Sequence, residues 1–452
     1  DVHWTNNPAT NTANVFRSEI ANQYIDVKLY TTGIQTDGSP FWDQYAPDAW
    51  FPIASSKQQL TLAVAAMNTA DPSKKGTSAS QHVDVTNENA RGGIYYWTSS
   101  NGAAVWRYDI AAPDIAPAPF FTTAPAQCMG CHALSRDGSR IAVTLDGGGG
   151  RGSLWDVGSQ VRIGTDVSLW DFSAFNVAAD KVITIDSQTS TMNFRNVADS
   201  SILVPAIPSL TPGAFPSEPE ISPDNSKLVN VEATNRSYDY MMYDGSLVVR
   251  SYDDTTNTFG APTTLVAGTP RTDPADDSTG YAYYPSFSPD SQWVLFTKTE
   301  GNSYNNAQAE TWVVKADGSL PPVKLAAANT SVPGLTNSWP RWVPFGQTFG
   351  SGSAPLFYLT FSSTRPYGQR IPGGGRPQIW MTPFFPDRAA QGQDPSGPAF
   401  RVPFQDVMTN NHIAQWTQQV VIQRNADGSL YTASDLQKQR RASKAAITAL
   451  DH

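Results

Sequence analysis

One turn recurs along this chain, and it limits the possible folds more than any other feature. Glu220-Ile221-Ser222-Pro223-Asp224-Asn225-Ser226-Lys227-Leu228-Val229 reads as a strand, a tight turn and a second strand. Ser286-Phe287-Ser288-Pro289-Asp290-Ser291-Gln292-Trp293-Val294-Leu295-Phe296 repeats it. Ala133-Leu134-Ser135-Arg136-Asp137-Gly138-Ser139-Arg140-Ile141-Ala142-Val143 is a copy with Arg136 in place of Pro. Residues 175–184 and 339–345 are degenerate copies. Pro sets φ at the second turn position, and Asp caps the backbone beyond it. One such unit cannot bury both of its faces, so several must pack side by side and close on themselves.

Glu310-Thr311-Trp312-Val313-Val314-Lys315 and Gln378-Ile379-Trp380-Met381-Thr382 read as outer hairpin strands of the same units. The 33 Gly and 34 Pro punctuate many short strands, and 13 Trp with 17 Tyr suit pleated surfaces. The reading is all-β: a six- to seven-bladed β-propeller over residues 133–435. Residues 1–115 form a separate small β-sandwich-like domain, from alternation in Ile25–Tyr30 and Gln59–Val64 and a hairpin pairing Ile94–Trp97 with Val105–Tyr108. A Pro-rich linker follows, with an attachment segment over 116–132. Residues 436–452 read as a terminal helix.

That attachment segment carries Cys128-Met129-Gly130-Cys131-His132, which holds the only two cysteines of the chain. Two thiols three apart can each form a thioether to one vinyl group of a haem, and His132 then supplies an imidazole to the iron. A zinc site needs two further ligands nearby, and no second pair exists. A thioredoxin-like pair belongs in a βαβ unit, and none surrounds it. The expectation is one covalent haem c on Cys128, Cys131 and His132. His412 is the first candidate for the sixth iron ligand, because the motif precedes the first blade and His412 opens the last, and those blades are neighbours in a closed ring. Met408, His82 and an open or water-bound iron are the alternatives. Arg107, Arg136 and Arg140 are candidates for the haem propionates. Asp273, Asp276 and Asp277 are candidates for Ca2+, since hard cations take several oxygens.

The Ser-Pro-Asp turns, Tyr284-Pro285-Ser286-Phe287-Ser288-Pro289-Asp290 and the Ala316-Asp317-Gly318 turn resemble TolB-type (PD40) β-propellers over residues 133–435. With the haem motif running into the first repeat, the chain resembles bacterial secreted propeller proteins with a built-in c-type haem. The resemblance implies a periplasmic or extracellular location and assigns Cys128, Cys131 and His132 their roles.

A net charge of −9 and no Lys/Arg stripe argue against nucleic acid as a partner. No apolar run is long enough for a transmembrane helix. The start at Asp1, without an apolar leader, reads as a mature secreted chain. Three functions stay open: an electron-transfer cytochrome serving a redox partner protein such as another cytochrome; a haem-linked oxidoreductase with a substrate site in the propeller channel; and a protein-binding propeller with a structural haem.

Overall fold

The computed structural model describes residues 2–4, 12–32, 42–43, 47–100, 104–112, 116–121, 129–147, 149–167, 170–273, 276–351, 353–368, 370–371 and 375–420. The chain divides into two compact units. The first is residues 1–89 with 347–356 and 366–375; the second is residues 90–346 with 357–365 and 376–452.

The chemistry of the recurring turn explains why the second unit folds as it does. Ser135, Ser222 and Ser288 are fully buried. Each hydroxyl donates to the Asp two residues on and accepts the backbone N–H five residues on, at 2.9 Å from Arg140, Lys227 and Trp293. Asn176 takes that role in a degenerate copy, its Oδ1 accepting the Lys181 N–H at 3.0 Å. A residue at positive φ closes each of the four turns: Gly138, Ala179, Asn225 and Ser291. The turn is thus a buried hydrogen-bond clip that joins an innermost strand to the next one out.

Among the described residues, the second unit has six antiparallel sheets of four or five strands. Their innermost strands are Met129–Leu134, Trp170–Phe175, Phe215–Ile221, Tyr281–Phe287, Ser338–Trp342 and Asn411–Thr417. Each packs beside the next and the last beside the first, so the sheets close a ring. This is a β-propeller. Its largest core cluster runs across the middle sheets and includes Phe194, Leu228, Tyr283, Phe296 and Trp312.

The domain boundary differs from the sequence expectation. The hairpin Gly93–Thr98 and Ala104–Asp109 does not belong with the first unit. It joins Ala118–Pro119 and the late strand Asn411–Thr417 in one sheet, where Asn411–Thr417 pairs with Gly93–Thr98. Alternation in a short strand shows a strand and not its partner. The attachment segment also ends differently, since Met129–Leu134 is already a propeller strand. In the first unit, the described residues form one five-stranded sheet, built on Val15–Ala21 and Leu60–Asn68, with short two-stranded ribbons. A helix, Pro47–Ser55, packs Ile53 against Ile20 and Leu60. The expected sandwich is therefore a sheet with a helix on it; Pro52 inside that helix masked it in the sequence. Residues 436–452 and Cys128 lie outside the described residues.

The closing strand tests the ring. Trp416 is buried, packs among Ile94, Tyr96, Val343 and Ile379, and donates from Nε1 to Thr360 Oγ1 at 2.9 Å. Trp416→Ala should cost about 3–5 kcal/mol. Urea unfolding should show a lower midpoint at unchanged slope; an unchanged midpoint would mean that this strand does not hold the ring.

Candidate functional site

Each innermost strand carries one extra residue at the same level. Met129 pairs with Leu145 and His132 with Val143, so three steps on one strand match two on its neighbour. The same slip separates Trp170 from Ser173, Ser217 from Glu220, Tyr283 from Ser286, Ser338 from Arg341, and His412 from Gln415. A bulge of this kind re-aims side chains. Glu218, Tyr284, Trp339 and Ile413, each just after the slip begins, have φ between 49° and 57°. That is left-handed backbone, costing on the order of 1 kcal/mol or more for each non-glycine residue. Cys131 occupies the bulge of its own strand.

Two cavities open on this belt of bulges, and Cys131, Trp339 and Ile413 line both. The first is an aromatic cleft of about 750 Å³, counting its mouth, with Trp97, Tyr240, Met241, Tyr304 and His412 in its wall. Trp97 donates from Nε1 to the Met129 carbonyl at 2.6 Å, which fixes its ring edge-on to His412 with centroids 4.7 Å apart. Tyr304 lies 6.4 Å from Trp339 and 6.5 Å from His412, centroid to centroid. The second is a polar chamber of about 1070 Å³, counting its mouth. The residue that ends each slip faces it: His132, Ser173, Glu220, Ser286, Arg341 and Gln415, with Glu218 beside them.

Burial sets the charges here. His132 and His412 are 5% and 3% exposed. Both ring nitrogens of His132 and Nδ1 of His412 are buried without a hydrogen-bond partner. Burial holds His132 at a pKa of about 4; burial, then repulsion from His132, holds His412 at about 3. Both imidazoles are neutral at pH 7, which is the form a metal binds. The Cys131 thiol is pushed up by burial and by Asp171, Glu218 and Asp239. Burial lifts Glu218 to about 8, against the N–H of Tyr284 that its Oε2 accepts. Burial and then a shared hydrogen bond with Asp239 lift Asp171 to about 8 as well.

The structure sets Cys131, His132 and His412 on neighbouring innermost strands, the first and last of the ring, with His132 in the wall of the chamber, His412 in the wall of the cleft and Cys131 in both. It does not bring the alternatives. Met408 is exposed, with Arg376 on its sulfur at 3.6 Å. His82 is exposed on Gln81–Val83 of the first unit. Arg140 pairs with Asp156, and Arg136 lines the chamber and donates to the Pro344 carbonyl; neither lines the cleft, nor does Arg107. The calcium expectation finds no site. Asp277 pairs with Arg271 and Lys324, and Asp276 accepts from Ser278. Among the described residues no three His, Cys, Asp or Glu converge as metal ligands. A haem asks less of the protein, because the porphyrin supplies four of the donors. Sequence reasoning did not single out Met241 among the methionines and missed the bulges; recurring Pro at 219, 285 and 340 was the visible trace of the latter.

No protein-family model and no curated protein sequence matches this chain. Solved structures similar to it include TolB from Acinetobacter baumannii, at 10% identity and TM-score 0.45, covering 79% of each chain. Dihydro-heme d1 dehydrogenase NirN is similar at 14% identity and TM-score 0.38, over 70% of this chain and 55% of that one. Kuenenia stuttgartiensis hydrazine synthase is similar at 13% identity and TM-score 0.34, over 62% and 67%. These likenesses transfer no residue role. No helix among the described residues is long and apolar enough to cross a membrane.

Glu218 gives this site a pH signature. With a folded pKa of about 8 against an ordinary 4.5, the folded protein keeps a proton that the unfolded chain has lost. Stability therefore falls as pH rises through that window. Glu218→Gln should remove the share of the slope that Glu218 contributes, so that between pH 5 and 9 the wild type loses a few kcal/mol relative to the variant. Urea midpoints at each pH measure it; parallel profiles would refute a buried neutral Glu218.

Proposed function

We propose that this chain is a secreted monohaem c-type cytochrome that transfers electrons, with the propeller as scaffold and docking surface. The observation that carries the reading is the nearness of the strands bearing Cys131, His132 and His412. The thiol and the two buried, neutral imidazoles come from opposite ends of the propeller sequence and lie on neighbouring innermost strands. A haem bound here supplies one-electron exchange at iron.

The residues fit such a group. Cys131, with Cys128 upstream, would hold it covalently. His132 and His412 are the imidazoles that would ligate iron. Trp97, Tyr304 and Trp339 wall the cleft and exclude water, which favours a low-polarity site. Among the described residues no Lys or Arg lines the cleft, so its wall offers no cationic partner to the anionic propionates. The electron acceptor or donor would be a redox protein docking at the mouth of the cleft, in keeping with a mildly acidic chain.

The purified, matured protein should be red, give one haem c per chain as a pyridine haemochrome, and exceed its polypeptide mass by one haem. Cys131→Ser should lose at least one covalent link. His412→Ala should convert a low-spin ferric spectrum to a high-spin one. A colourless protein at bare polypeptide mass would end the proposal; unchanged spin state in His412→Ala would remove that ligand.

A further inference from the structure

The polar chamber is a second feature, and of its wall the haem reading uses only Cys131 and His132. Its wall is built from the same position of each sheet, so six sheets each contribute one side chain to one space. Several of those side chains have unused hydrogen-bonding capacity. Glu218 is 3% exposed, and its Oε1 is buried with no partner. Arg341 donates to three backbone carbonyls, of Pro340, Tyr284 and Pro285, all from Nη1. Its remaining donors have no protein acceptor, and it forms no ion pair with Glu218 or Glu220 among the described residues. Its charge is nonetheless felt by both carboxyls. Glu220 uses Oε1 for the Phe287 N–H at 2.9 Å and the Ser286 hydroxyl at 3.3 Å.

The Arg341 guanidinium and the Glu218 and Glu220 carboxyls therefore line one chamber without pairing among the described residues. Buried polar groups left in that state cost free energy unless something bridges them. A bridging molecule needs an acceptor for the Arg341 fork and a donor for the glutamates. A plain anion satisfies Arg341 and leaves the glutamate oxygens unpaired; a plain cation meets the reverse. A small zwitterion satisfies both. Phe172, Ile221, Phe287 and Trp416 also line the chamber, giving an apolar side chain somewhere to rest.

We propose that the chamber binds an α-amino acid with an apolar side chain, its carboxylate on Arg341 and its ammonium on Glu218 and Glu220. The inference does not draw on the haem reading: it rests on Arg341, Glu218 and Glu220, which line the chamber and not the cleft, although Cys131 and His132 stand in the chamber wall as well.

The test is isothermal titration of the intact, matured protein with L-leucine, and with isocaproate and isopentylamine, which lack its ammonium and its carboxylate respectively. L-Leucine should bind at least about tenfold more tightly than either, as expected for the loss of one charged hydrogen-bonded contact. Arg341→Gln and Glu218→Gln should each weaken it by about tenfold with near-ultraviolet circular dichroism unchanged. The three-ligand comparison is made on unmutated protein, so it stands even if a variant misfolds. Absence of binding by L-leucine overturns the proposal. So does isocaproate or isopentylamine binding as tightly as L-leucine, or L-leucine binding that a folded Arg341→Gln leaves intact. A haemochrome on the same sample separates the two readings: a colourless protein that binds L-leucine sinks the haem alone, and a haem protein that ignores L-leucine sinks the chamber alone.

Discussion

The ladder between Asn411–Thr417 and Gly93–Thr98 is the contact on which the propeller unit depends. An open row of twisted sheets leaves an apolar face bare at each end and an unpaired strand edge beside it. Here a strand from the far end of the chain becomes the innermost strand of a sheet whose other three strands come before the first repeat. Trp416 and Ala414 then share a core cluster with Ile94 and Tyr96. Such closure costs loop entropy, which grows only slowly with the length of the loop. The same ladder delivers His412 beside the strand of Cys131 and His132, so the fold's closure and the site's assembly are one event.

The belt of bulges makes the middle of the ring two environments instead of one. Without the extra residue, strict alternation would send every second side chain of an innermost strand into the packed core between sheets. With it, the residues after each slip turn towards the centre. On one side lie Trp97, Tyr304 and His412, with Cys131 and Trp339 reaching both sides. On the other lie Arg341, Glu220, Gln415 and His132. Four non-glycine residues held at positive φ are the conformational cost of that division. The buried serine clips at the turns are what hold the strands in register while it is met.

Much of this was legible beforehand. The Ser-Pro-Asp turn is local chemistry: a hydroxyl, a ring-locked φ and a carboxylate within five residues. Its repetition announces a ring of sheets. The expectation that His412 stands nearer the motif than Met408 or His82 followed from ring closure, and the structure has His412 in the cleft wall and the other two exposed. Less local features stayed hidden. The hairpin at 93–109 looks the same whichever sheet receives it, and the helix Pro47–Ser55 was disguised by its proline.

The sequence by itself determined the turn, the strand-rich class and the thiol–thiol–imidazole spacing, because each depends on atoms a few residues apart. Only the tertiary structure decided that Cys131 lies on a bulge between an aromatic cleft and a polar chamber. It alone set Arg341 in one chamber with Glu218 and Glu220, and Met241 in the wall of the cleft. Those outcomes depend on ladder register between strands that are distant in the chain, where one residue of slip reverses which face a side chain meets.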